Sequence, residues 1–119
     1  MNKLIDKKWS KSTPQLVAHF QATMDTFPHV ENRKMFGYPC CFKNNHLFTG
    51  LHEENWILRL EKSDLELFCS QFNTAVFEPF PGRKMKEYAI LPLHVRENKI
   101  LLQGWIEKSI SYVESLPPK

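Results

Sequence analysis

Cys40, Cys41, His46 and His52 crowd one short stretch of the chain, and thiolate and imidazole donors in such a group are what zinc takes. Convergence is the requirement they fail. No Cys-x-x-Cys spacing occurs, and neighbours on an extended strand point to opposite faces, so Cys40 is expected to turn away from Cys41, His46 and His52. No metal and no cofactor is expected. A reactive thiol needs a neighbour that lowers its pKa; Cys41, one step from His46 across a hairpin, is the candidate nucleophile, whereas Cys69 falls on the apolar side of a helix. Arg59 stands between Leu58 and Leu60, where a guanidinium can anchor an acidic ligand or lay its stem along apolar neighbours. Cys41, His46 and Arg59 define the enzymatic alternative, a small-molecule or thiol-dependent site. Small buried cysteines are common core fillers, so the expectation is a domain that is not an enzyme. Gly37, Gly50, Gly82 and Gly104 fit no phosphate loop. Glu53-Glu54 reads as a solvated turn, and Asp64 and Glu66 as helix-start residues favoured by the dipole.

Charge narrows the classes further. Lys3, Lys7, Lys8 and Lys11 against Asp6 place the whole net charge of +3 on residues 1–11, which leaves the rest neutral. A neutral body lacks the bulk attraction that drives nucleic-acid binding. Arg33, Lys34, Arg83, Lys84 and Lys86 remain candidate basic contacts for a weak nucleic-acid alternative, although lysines on a sheet edge also resist edge pairing. With 42% hydrophobic residues in 119, the chain suits one globular domain, here 12–119, behind a basic, flexible leader at 1–11. No apolar run approaches the ~18–20 residues that cross a bilayer. No signal-like segment follows the basic N-terminus, and three cysteines make a poor disulfide framework; a cytoplasmic setting is expected.

The elements that must position these residues follow from period and punctuation. Ser12-Thr13-Pro14-Gln15 opens a helix with Leu16, Val17, Phe20, Met24 and Phe27 at helical spacing. From Lys34 to Leu60 the period changes, and Asn44-Asn45 and Glu53-Glu54 divide the stretch into three strands. Pairing through two-residue turns sets Phe42 opposite Leu47, Cys40 opposite Thr49 and Leu51 opposite Trp56. One face then collects Cys40, Phe42, Leu47, Thr49, Leu51, Trp56, Leu58 and Leu60, while Cys41, Phe48 and Ile57 form an apolar stripe on the other, beside Arg59. Ser63-Asp64-Leu65-Glu66 starts a short helix that ends at Asn73. Residues 74–77 and 84–91 read as two more strands, and a helix runs over 98–115 with Leu102, Trp105, Ile106, Ser109 and Val113 inward. The order α-βββ-α-ββ-α predicts a two-layer α+β domain on a mostly antiparallel five-stranded sheet. An exposed Cys41/Phe48/Ile57 stripe with Arg59 would be an interaction surface, and a homodimer its commonest use.

Arg33-Lys34-Met35-Phe36-Gly37-Tyr38-Pro39, Phe42, Phe48, Gly50-Leu51-His52 and Leu58-Arg59-Leu60 resemble the N-terminal domain of the TfoX/Sxy family. Phe77 to Arg83, Met85, Glu87-Tyr88, Leu91-Pro92, Trp105 and Leu116 to Lys119 are similar to a single-domain branch of it. The resemblance covers about residues 12–119. It implies a secretion-chaperone-like α+β fold and a bacterial regulatory role exerted by binding protein, since full-length relatives promote competence with a transcription factor. Those relatives carry a second, helical domain after this one, and this sequence is expected to act without it. The family motifs hold no catalytic residues to carry over.

Overall fold

A computed structural model describes residues 9–119. Lys3, Lys7 and Lys8 of the basic leader lie outside the described residues. Helix α1 (Pro14–Met24) is capped by the Thr13 hydroxyl with proline in its first turn, as the sequence predicts. Strands β1 (Glu31–Met35), β2 (Tyr38–Lys43), β3 (His46–His52) and β4 (Asn55–Arg59) follow, then α2 (Lys62–Phe72), β5 (Tyr88–Ile90), α3 (Leu93–Arg96) and α4 (Lys99–Ser115). The five strands form one antiparallel sheet in chain order. The class is the expected α+β, but the order of elements differs. Glu31–Met35 is a strand despite its polar composition, because it pairs with β2 as an exposed edge. Residues 74–77 run beside β5 with a single bridge, Val76 to Ala89; Pro79 and Pro81, each without an N–H, stop that ladder from growing.

One residue reorganises the sheet. Cys41 faces Thr49 and Phe42 faces Leu47, so Phe48 has no cross-strand partner. An extra residue of this kind breaks the alternation of side chains. Cys41, Phe48 and Thr49 therefore turn to the same side, toward the helices, and all three are 0% exposed. Thr49 is satisfied there by the Ile57 carbonyl and by the Trp56 indole N–H. The expected pairing of Cys40 with Thr49 is thus replaced by Cys40 with Gly50, and Cys40 and Phe42 go to the opposite face.

The helices lie on one layer. Phe20 of α1 packs edge-on against Trp56, and Phe68 of α2 against Trp105 of α4. One continuous core joins these to Cys41, Phe48, Leu58, Leu60, Ile106 and Val113. Ser109, on the apolar stripe of α4, donates to the Arg59 carbonyl at 2.5 Å. That accounts for a buried hydroxyl in an apolar row. Among the described residues, no helix is long and apolar enough to cross a membrane.

Candidate functional site

The stripe expected to dock a partner is not at the surface. Cys41 and Phe48 sit beneath the helices, and Ile57, at 5% exposed, lies on the second face. The segment 74–87 crosses that face: the Phe77 amide bonds the Tyr88 carbonyl, while its ring reaches to 5.1 Å from His52. Burial pushes the Cys41 thiol up to about 12, with smaller contributions from Cys40 and Asp25. The thiol donates to Asn32 Oδ1 at 3.2 Å. It is held protonated at neutral pH, the reverse of what a nucleophile needs.

His46 is not beside Cys41 but at the far end of β3. Its Nε2 lies 2.7 Å from the Pro117 carbonyl, which can only accept, so Nε2 carries the proton; Nδ1 then faces Arg59 at 3.5 Å. Arg59 has an acid of its own. Its Nε and Nη2 both reach Glu87 Oε1 at 2.7 Å, and Tyr112 donates to Glu87 Oε2 at 2.5 Å. The Tyr88 and Tyr112 rings flank the guanidinium at 5.9 and 5.5 Å. Burial alone would lower the Arg59 pKa, but its bond to Glu87 and the charges around it raise it instead. Burial pushes the Tyr88 phenol up to about 12. The enzymatic triad of Cys41, His46 and Arg59 is therefore not assembled. Among the described residues no group of three His, Cys, Asp or Glu side chains could hold a metal.

The other end of the sheet is finished with rings. Met35 pairs with Tyr38, so Phe36-Gly37 is a two-residue hairpin turn, with φ of 54° and 83°. Such turns need positive φ at both central residues. Gly37 meets this freely; Phe36 meets it at a cost and is left 79% exposed. Trp9 packs edge-on against Phe36 at 5.5 Å and against His52 at 4.4 Å, and it touches Phe80 at 5.3 Å. Phe80 is 52% and Met35 40% exposed. Ser10 and Tyr38 fix this arrangement, the phenol donating to the Ser10 carbonyl. Glu53, whose turn reads from sequence as solvated, accepts from the Ser10 N–H and hydroxyl, and Glu54 accepts from the Thr13 N–H at the start of α1.

The basic candidates divide between the regions. Arg33 is engaged by Glu31 and Asn45 and stacks over Phe42 at 4.2 Å. Lys34, Arg83, Lys84 and Lys86 are exposed and carry no ion pair among the described residues. Sequence reasoning leaves Phe36 out of its candidate site residues and so misses the aromatic end. The signal for it was the turn itself: X-Gly between alternating strands puts X in solvent. Nothing local could have placed Phe80 beside Trp9.

Residues 22–112 match the family model described as the TfoX N-terminal domain. No curated protein matches the chain.

Proposed function

The chain belongs to the TfoX N-terminal domain family, and from that premise we propose that it is a cytoplasmic, non-enzymatic regulatory domain that binds another protein through the aromatic end of its sheet. Phe36 carries this reading. A large apolar ring at positive φ, mostly in solvent, costs conformational strain and gives back no burial. A hairpin needs neither, and a docking surface needs the ring. Trp9 and Phe80 extend it into a contiguous apolar row, the usual mark of an interface on a small domain. The sealed sheet face takes away the surface on which a homodimer was expected, so the partner proposed is a different protein.

The test places a photoreactive phenylalanine analogue at position 36 in the producing cell. A discrete crosslink to one other protein is expected. The same analogue at Leu67, exposed alone on α2, is expected to give none. Equal products at both positions, or none at position 36, would overturn the reading.

A further inference from the structure

Resting on that docking reading, we propose that the partner presents an acidic amphipathic segment, whose apolar side chains meet Phe36, Trp9 and Phe80 and whose carboxylates meet Lys11, Lys34 and Arg83. The three rings form a row with Trp9 at its centre, 5.5 Å from one neighbour and 5.3 Å from the other. One cation lines the cleft of these rings, and two more stand within three residues of a ring along the chain. Lys11 lines the same cleft as Trp9 and Phe36. Lys34 precedes Met35 at the end of β1. Arg83 closes the turn that holds Phe80, its backbone N–H donating to the Phe80 carbonyl at 2.8 Å.

Charge decides which partner fits. None of these three cations has an ion pair among the described residues. The nearby carboxylates, in contrast, are turned onto the protein's own donors. Glu53 accepts from Ser10 at 2.8 and 2.9 Å, Glu54 from the Thr13 N–H at 2.8 Å, and Glu78 from the Gly82 N–H at 2.5 Å. The result is an apolar centre edged by cations that have no ion pair, with the nearby carboxylates, still charged, bound to the protein's own N–H and O–H donors. A partner that complements both parts carries apolar side chains flanked by carboxylates; a basic one would set like charges against each other. A long nucleic acid fits less well, because the rim is short and the body beyond residues 1–11 is neutral.

The experiment titrates the isotope-labelled full chain with four probes. These are a short peptide of Glu interspersed with Leu and Trp, its Glu→Lys counterpart, its counterpart with Ser for Leu and Trp, and a single-stranded DNA oligonucleotide. Saturable shifts at the Trp9 indole and the Phe36 and Gly37 amides are expected with the first peptide alone. Affinity should fall about tenfold in Lys11→Glu/Arg83→Glu and about 30-fold in Phe36→Ala; all three positions are at the surface, and circular dichroism checks the fold. Equal binding of the lysine peptide, the serine peptide or the DNA would overturn the proposal. So would binding that appears only once residues 1–8 are removed, or self-association abolished by Phe36→Ala, since the patch would then have another occupant. If no peptide binds while the position-36 crosslink persists, the acidic partner falls and the docking reading stands; loss of both removes both.

Discussion

Strands β2, β3 and β4 run between two ends of the sheet that solve the same problem differently. At one end the β2–β3 turn is Asn44-Asn45, with φ of 52° and 64°, values asparagine tolerates well. Asn45 then bonds Arg33 and the Lys119 carbonyl. Beside it, Arg59, Glu87 and Tyr112 satisfy one another, and His46 holds Pro117. At the opposite end the equivalent turn is Phe36-Gly37, with the same positive φ and a ring in solvent. The first end closes its polar groups on itself. The second packs Trp9 partly against the core and leaves the Phe36 ring, half of Phe80 and the Lys34 and Arg83 cations outward. Local choices that disagree with the fold mark the places where something other than folding sets the residue.

The widest separation between the two regions should appear when the same charge is placed in each. Phe48→Glu puts a carboxylate into the core and should cost more than about 4 kcal/mol, enough to unfold a marginally stable domain. Phe36→Glu should change stability by less than about 0.5 kcal/mol. Urea unfolding of both variants decides it, and similar midpoints would place Phe48 outside the core.

Next in size is the closed end. Arg59→Met leaves Glu87 with the Tyr112 hydroxyl alone and should cost about 2 kcal/mol, below the full cost of breaking a buried pair because both side chains are partly exposed. An unchanged midpoint would make the network ornamental. The pH profile bears on burial at that end and in the core. Tyr88 and Cys41 have folded pKa values pushed up to about 12, from ordinary values of 10.0 and 9.0. The unfolded chain loses these protons first, so their contribution is complete below pH 9 and is lost as pH climbs toward about 12. Denaturant midpoints should therefore hold level up to pH 9 and then fall; a rise over that interval would contradict the burial of both groups.

Helices α1, α2 and α4 were legible because their signals are local, whereas the single-turn α3 was not expected. Thr13-Pro14 and Asn98 mark two starts, and Leu102, Trp105, Ile106, Ser109 and Val113 are the buried row of α4. The Asn44-Asn45 and Glu53-Glu54 turns also fall where their residue types put them. The sheet's faces were not legible, since Leu47-Phe48-Thr49 reads as regular strand and nothing in it announces an extra residue. That one insertion carries Cys41 and Phe48 inward and reverses the surface argument. The site was half legible. Phe36-Gly37 carries a turn signal within its own residues, whereas Arg59 with Glu87, and Trp9 with Phe80, meet only through contacts made late in the chain.

The smallest effect is the most diagnostic. Phe36→Asn would give the open end the turn chemistry of the closed one, Asn-Gly being the residue pair that a two-residue hairpin favours. It relieves strain at positive φ and removes an exposed ring, so it should stabilise the domain by about 1 kcal/mol. The same substitution should abolish the crosslink and the peptide shifts that depend on the ring. Gain of stability with loss of binding is the signature of a residue kept for contact rather than for folding. If Phe36→Asn instead destabilises the chain, the Trp9–Phe36 contact holds the N-terminal segment in place, and the two ends differ in how they are closed rather than in what they are for.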